Sequence, residues 1–366
     1  MSIQSEEPNA GAATTKTTAL LTSPAALSPY YSWSNNRSSC FQTIAGGTAI
    51  LSCICIWLLS LASPLLLCAS VFHRQYIISA IIVMLTIIAY LPWKKGFISS
   101  MITGFARQNP MYYKKCSIIL KDRSISSSNT NTNTNTTNND ATNRKGNKPN
   151  LYAVHPHGAF CLGWSVLFCS PLMTSVRFCF SPVLYVSPFF RLWSRLAGKP
   201  GAADKASMIS YMIRGEDIAL PPGGFEEATL TSPDHDRVYI KKRVGFVKLA
   251  LQHGYNIVPV YAFGENKTYL NVQGAWKARL KLNSFGIPAI VVYGASFLPL
   301  LPRRVSEGVS VVVGFPLELP KIEDPSREEV KMWHDKYIAA LIKVFEDHKC
   351  EAYGSVEGRS KKMELW

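Results

Sequence analysis

Residues 256–263 read NIVPVYAF, an apolar run with the length and the Val/Ile content of a strand that is buried on both faces. The preceding segment, 244–253, has the spacing of a helix, and Gly254 follows it as a C-cap signal. A final amphipathic helix is predicted to start after Ser326, its N-cap. Strands that alternate with helices indicate an α/β domain with a largely parallel sheet. Four more strands are predicted at 151–154, 218–221, 287–293 and 309–315.

Two uncharged apolar runs lie far upstream of this domain. Residues 43–72 read TIAGGTAILSCICIWLLSLASPLLLCASVF, and a second run covers 75–93. A helix needs about 20 apolar residues to cross a bilayer, so the runs predict a two-helix membrane hairpin. Lys94 and Lys95 follow the second run, which places both ends of the hairpin in the cytosol by the positive-inside rule. A re-entrant wedge and a pair of buried core helices are the alternatives.

The remaining segments are polar. A Ser/Thr/Ala-rich leader precedes the hairpin, and a tract that contains NTNTNTNTTNND interrupts the chain before the α/β domain. Segments of this composition bury too little apolar area to fold. The predicted organisation is therefore a disordered leader (1–40), a hairpin (41–93), a juxtamembrane connector (94–123), a disordered insert (124–150) and a catalytic domain (151–366).

The overall charge does not indicate nucleic-acid binding. The 366-residue chain carries 39 Lys and Arg against 24 Asp and Glu, a net charge of +15, yet charged residues make up only 17% of it. A cytosolic surface near anionic lipid accounts for this positive charge better than nucleic acid does. The nine cysteines form no zinc-type spacing and fit a reducing compartment.

His155 and His157 follow the strand at 151–154 directly, in the sequence His-Pro-His-Gly. Active groups of parallel α/β domains gather at the carboxyl ends of strands, and a histidine there can act as a general base. A His-x-His pair could instead supply two metal ligands. That alternative needs further ligands, and the only plausible cluster is His235 with Asp234 and Asp236.

A second candidate element reads PPGGFEE at 221–227, where another strand ends. Its two glycines could present backbone N–H groups to an oxyanion or a phosphate, although an ordinary turn has the same composition. Glu227 could orient an imidazole or bind a hydroxyl. The basic run Lys241-Lys242-Arg243 opens the helix at 244–253, where cations oppose the helix dipole, and this suggests that they serve an anion. A solvated basic loop near anionic lipid is the alternative.

Several common catalytic motifs are missing from the sequence. It has no G-x-S-x-G elbow, no P-loop and no G-x-G-x-x-G fingerprint. An α/β-type serine hydrolase, a P-loop NTPase and a Rossmann dinucleotide enzyme are therefore disfavoured.

The order of the motifs resembles the type 2 diacylglycerol O-acyltransferase family, which also includes monoacylglycerol and wax-alcohol acyltransferases. The resemblance rests on VHPHG (154–158), SPFFRLWSRLAG (187–198), PPGGFEEA (221–228) and RVGFVKLALQHGYNIVPVYAFGEN (243–266). Together with later segments it covers the whole α/β domain, and the combination is far more specific than any single motif.

The resemblance implies a set of site residues. The family's active-site motif maps onto His155, Pro156, His157 and Gly158, and some plant members keep only the second histidine, which favours His157 as the base with His155 in support. The remaining family motifs assign substrate contacts to Pro222, Gly223, Gly224, Arg243, Gly245 and Phe246, with Glu227 as a further catalytic residue. No metal and no cofactor beyond acyl-CoA as substrate is expected.

The resemblance implies acylation of diacylglycerol by acyl-CoA at the endoplasmic reticulum membrane or the lipid droplet surface. We expect a multi-pass anchor, a body that faces the cytosol and no nucleic-acid partner, and we leave homo-oligomerisation open. Monoacylglycerol and fatty alcohol are the alternative acceptors. A non-catalytic membrane lipid-binding protein is the rival from another class.

Overall fold

A seven-stranded mixed sheet forms the centre of the computed structural model, which describes residues 39–92, 96–121, 148–286 and 289–366. The order across the sheet is β1-β10-β7-β2-β5-β3-β4. The strands from β7 to β4 run parallel to one another, whereas β10 is antiparallel to β7 and parallel to β1. The sheet strands are β1 (Cys116–Leu120), β2 (Asn150–His155), β3 (Arg177–Phe180), β4 (Pro200–Ala202), β5 (Ile218–Leu220), β7 (Asn256–Phe263) and β10 (Val309–Val313).

Two small sheets and a set of helices surround this centre. β6 (Asp236–Val238) pairs with β11 (Met363–Leu365), and β8 (Leu270–Asn271) pairs with β9 (Val292–Tyr293). The helices are α1 (Cys40–Phe72), α2 (Tyr76–Tyr90), α3 (Phe97–Ala106), α4 (Leu162–Cys169), α5 (Pro182–Val186), α6 (Pro188–Ala197), α7 (Lys205–Ile213), α8 (Gly224–Leu230), α9 (Gly245–His253), α10 (Trp276–Ser284), α11 (Arg327–Tyr353) and α12 (Ser355–Ser360).

The sheet separates two hydrophobic cores, and β7 shows why. Successive side chains of a strand point to opposite faces. Val258 and Val260 therefore pack into the core that includes α4 and part of α1, whereas Ile257 and Tyr261 pack against α9 and α11. Every residue of β7 is buried, as the sequence 256–263 predicts.

The predicted helix ends match the structure. Ser326 and Glu329 form a reciprocal capping box at the start of α11, and α9 ends at Gly254, which adopts the left-handed conformation with φ of 69°. Of the predicted strands, only 287–293 differs markedly. It is reduced to β9, which pairs outside the main sheet, and residues 287 and 288 lie outside the described residues.

α1 is the one helix in the described part of the chain that is long and apolar enough to cross a membrane. Its first half packs against the body, where Ile50 and Ile54 join the hydrophobic core. Beyond Trp57 its side chains are largely exposed, with Leu65 at 75% and Phe72 at 82% exposure. α2 packs beside α1 through a hydrogen bond between Ser70 Oγ and Ser79 Oγ.

The two predicted apolar runs are thus both helical, but they differ in length. α2 has 15 residues, or about 22 Å of helix at 1.5 Å per residue, against about 30 Å of bilayer core. The leader, residues 93–95 and the predicted insert from 124 to 147 lie outside the described residues. β1 lies within the predicted connector, and it forms one edge of the main sheet.

Candidate active site

Three neighbouring parallel strands end at the same edge of the sheet, and each continues into a polar element. β2, the middle strand, ends in His155. β5 leads into the Pro-Pro-Gly-Gly turn and α8, and β7 leads into Gly264 and Glu265. The carboxyl ends of parallel strands are where α/β folds bind ligands. The sheet therefore brings the two sequence-predicted motifs together, and it adds Glu265 to them.

His155 is buried and pairs with Glu227. Its Nδ1 lies 2.9 Å from Glu227 Oε1 and 3.2 Å from Oε2, and neither side chain is exposed. Gly223 makes room for this pair, because a Cβ at that position would overlap the Glu227 carboxylate. The His155 Nε2 has no hydrogen-bond partner among the described residues. Glu227 thus orients an imidazole, one of the two roles that its sequence position suggests.

His157 lies at the wall of a cavity and is only half-buried. Its Nδ1 donates a hydrogen bond to the Gly158 carbonyl oxygen at 2.9 Å, which leaves Nε2 as the acceptor nitrogen. Burial lowers the pKa of His157, and the Gly158 carbonyl and the Glu227 charge act against that lowering. The lowered pKa favours the neutral imidazole, the form that a general base requires.

Glu265 supports the same loop from the other side, and the sequence analysis did not select it. Its carboxylate accepts hydrogen bonds from the backbone N–H groups of Leu162 (3.1 Å) and Gly163 (2.6 Å), the first residues of α4. A Cβ at Gly158 would overlap this carboxylate, and Gly158 has φ of 63°. Burial raises the pKa of Glu265 to about 7, although both amide donors favour the ionised form. Its position directly after a buried strand was the available signal.

The cavity beside His157 has a volume of about 560 Å³, in the range of small-molecule sites. One wall is aromatic and comes from α1, α4, β3 and α6 together with the segment after His157. The lining also includes polar side chains, among them those of Glu226, Arg243 and Asn283. A site of this kind fits an amphiphile whose apolar chain and polar group separate in space.

The structure distributes the other predicted substrate contacts unevenly. Pro222, Gly224 and Arg243 line the cavity, and the Arg243 guanidinium forms an ion pair with Glu226. The Gly224 N–H donates to the Pro221 carbonyl oxygen at 3.3 Å, so the turn itself uses that donor. Pro156, Gly245 and Phe246 are not among the cavity-lining residues; Pro156 is buried, Gly245 opens α9, and Phe246 packs on Tyr337 with ring centroids 5.1 Å apart.

The residues considered for a metal site have protein partners. His235 Nδ1 lies 2.6 Å from Glu364 Oε1, and Asp236 Oδ1 accepts hydrogen bonds from the hydroxyls of Tyr261 and Tyr353. Across the described ranges, no group of three or more His, Cys, Asp or Glu side chains is arranged to hold a metal ion.

Comparison with known proteins identifies the family. A family model described as "Diacylglycerol acyltransferase" matches residues 136–360, which include every candidate site residue above. The chain belongs to the diacylglycerol acyltransferase family. Its members are O-acyltransferases, so the family and the motif resemblance agree.

Individual relatives of this family are about one third identical to the chain. Diacylglycerol O-acyltransferase 2-like protein 6 of Mus musculus is 32% identical over 55% of this chain and 66% of the relative. Acyl-CoA wax alcohol acyltransferase 1 of Homo sapiens is 34% identical over 57% of this chain and 68% of the relative. Diacylglycerol O-acyltransferase 2 of Xenopus tropicalis is 32% identical over 54% of this chain and 60% of the relative. The chain thus spans 60% to 68% of these relatives' own length. No solved structure matches the chain.

Proposed function

We propose that this protein transfers an acyl group from acyl-CoA to the free hydroxyl of diacylglycerol, with His157 as the general base. The observation that carries the proposal is the position of His157 in the lining of a cavity to which both aromatic and polar side chains contribute. The family membership supports the reaction class, and three curated relatives carry diacylglycerol or wax-alcohol acyltransferase names.

In the proposed reaction, His157 Nε2 takes the proton of the lipid hydroxyl as its oxygen attacks the thioester carbonyl carbon. The tetrahedral intermediate collapses with cleavage of the C–S bond, and the imidazolium returns the proton to the CoA thiolate. We assign the backbone N–H groups of Gly158 and Gly223 to the oxyanion, since the Gly224 N–H already donates to the Pro221 carbonyl oxygen. The reaction requires no metal, no cofactor other than its acyl-CoA substrate and no covalent enzyme intermediate.

His155 and Glu227 serve as the buried support of this base. The Glu227 carboxylate fixes the His155 tautomer through Nδ1, and both side chains lie under the loop that carries His157. Arg243 lines the cavity, and we assign it to the phosphates of CoA.

Membrane attachment through α1 and α2 completes the proposal, because diacylglycerol resides in a bilayer. The exposed aliphatic side chains of both helices support insertion, and the length of α2 supports a re-entrant wedge more than two full spans. The basic residues after α2 support a body on the cytosolic side. We propose the endoplasmic reticulum membrane as the location, with lipid droplets as a second site.

The test compares wild type, His157→Ala and His155→Ala in membranes of a host that makes no triacylglycerol of its own. Wild type should form labelled triacylglycerol from labelled acyl-CoA, and His157→Ala should lose about 10²–10⁴-fold in rate. His253→Ala, at the end of α9, is the matched control and should keep full activity. Equal activity of wild type and His157→Ala would overturn the assignment of the base, and loss in His155→Ala alone would transfer that role to His155.

An acceptor panel separates diacylglycerol from the alternatives. The wax-alcohol acyltransferase name among the relatives is the observation that favours a fatty alcohol as second candidate. Diacylglycerol, monoacylglycerol and a long-chain alcohol are offered at equal mole fraction in vesicles with one acyl-CoA. Preference for the alcohol would replace the proposed acceptor, and no transfer to any of them would favour a lipid-binding protein without catalysis.

A further inference from the structure

α1 contributes directly to the wall of the cavity. Cys53 and Trp57, one helical turn apart, line the cavity together with His157. The Trp57 ring meets Phe160 edge to face with centroids 5.2 Å apart, and Phe160 packs on Tyr269 at 5.1 Å. Trp57 is thus linked by ring contacts to the loop that carries His157.

The same stretch of α1 also carries exposed aliphatic side chains. Leu58 and Leu61, beside Trp57 in the sequence, are 40% and 44% exposed. Further along α1, Leu65 is 75% exposed. α1 therefore carries both the cavity-lining Cys53 and Trp57 and exposed aliphatic side chains close to them along the helix.

The cavity continues from Trp57 into a set of aromatic side chains that we call the aromatic lobe. Within it, Phe168 contacts Phe180 at 5.4 Å and Trp193 at 6.0 Å between ring centroids, and Trp164 contacts Phe180 at 5.8 Å. Ring contacts of this kind form an apolar wall, which suits an extended apolar chain. The lobe consists of Trp57, Phe160, Trp164, Phe168, Phe180 and Trp193.

We propose that the aromatic lobe binds an acyl chain of the acceptor lipid, which enters from the membrane beside α1, and that Trp57 positions this chain against His157. The inference rests on the proposed function and goes beyond it, because it makes the membrane helix part of the substrate site. Two features favour the acceptor over the chain of acyl-CoA. The lobe includes Trp57 of α1, the helix that carries exposed aliphatic side chains, whereas Arg243, the cation that suits a CoA phosphate, comes from the segment before α9.

A kinetic test distinguishes the two sources of the chain. Trp57→Ala should raise the KM for diacylglycerol in mixed vesicles about five- to tenfold and leave the KM for acyl-CoA unchanged, because only the acceptor loses a ring contact. Trp57→Phe should restore most of the loss, since it keeps a ring against Phe160. Leu61→Ala, an exposed position one turn further along the same helix that does not line the cavity, is the matched control. A rise in the KM for acyl-CoA alone, or equal effects of Trp57→Ala and Leu61→Ala, would overturn the proposal.

A binding test on the wild-type chain needs neither a variant nor turnover. Vesicles of phosphatidylcholine contain a diacylglycerol with a diazirine on one chain, and the protein is irradiated without acyl-CoA. We expect cross-links in peptides that contain 160–168 and 180–193, reduced severalfold by excess unlabelled diacylglycerol. Cross-links confined to the exposed residues of α1 and α2 would show that the lobe does not take the acceptor. If the cross-links appear as expected while wild type lacks transferase activity, only the proposed function fails.

Discussion

Glu227 and Glu265 are both fully buried, and they lie on opposite sides of β2, after the strands β5 and β7 that flank it. Glu227 holds a side chain, because its carboxylate contacts the His155 imidazole. Glu265 holds backbone, because it accepts the first two N–H groups of α4. The loop that carries His157 is therefore fixed at its start by the contact of Glu227 with His155, and at its end by Glu265, which caps the start of α4. The two carboxylates should fail in different ways when they are removed.

Removal of Glu227 should have the largest effect on catalytic activity. In Glu227→Ala the His155 Nδ1–H is left buried without its acceptor, so we expect kcat to fall about 10²-fold and the free energy of unfolding to fall by about 1–3 kcal/mol. The measurements are initial rates in vesicles and thermal unfolding of the same preparations. Glu328→Ala, an exposed glutamate of α11, serves as control. Full activity in Glu227→Ala would exclude the supporting role of the His155–Glu227 pair.

Removal of Glu265 should cost mainly stability, with a smaller loss of activity. Glu265→Ala leaves two buried N–H groups unpaired, at about 1–3 kcal/mol for each, and we expect kcat to fall about tenfold as the loop loosens. Because burial raises the folded-state pKa of Glu265 to about 7, its protonated form favours folding. The stability difference between wild type and Glu265→Ala should therefore shrink as the pH rises from 4.5 through 7. Thermal unfolding at several pH values measures it; a difference that grows with pH would contradict the buried-carboxyl interpretation.

The difference between the two glutamates also shows what the sequence could predict. Glu227 follows a turn with a recognisable composition, and the apolar run at 256–263 predicted β7 with its exact bounds. Glu265 was missed because its function depends on hydrogen bonds to the start of α4, about a hundred positions away along the chain. These residues meet because β7, which precedes Glu265, lies beside β2, which precedes α4. Such a contact is fixed by sheet order, and the order in which β2 lies between β7 and β5 cannot be derived from local periodicity.

The cavity, like the role of Glu265, depends on contacts between segments that are distant in the sequence. The aromatic residues that follow His157 are an apolar run in sequence, but the contribution of Trp57 arises only because the first half of α1 packs on the body. A run of apolar residues in α1 predicts insertion into a membrane along its whole length. The buried glycines Gly46 and Gly47, whose Cβ atoms would meet Tyr112, are the feature that allows this close packing instead.

The smallest effect should be a shift of the pH profile, and it separates the two carboxylates most sharply. The acid limb of kcat should lie below pH 6.5, because burial lowers the pKa of His157 and the base must be neutral. Glu227 is among the charges that raise the His157 pKa, whereas Glu265 is not. Glu227→Gln should therefore move the acid limb to lower pH, while Glu265→Gln leaves it in place. Profiles of kcat between about pH 5 and pH 8, each normalised to its own plateau, measure this. An equal shift in both variants would mean that the two glutamates act on His157 through the same loop movement, and that the contrast between charge and cap is wrong.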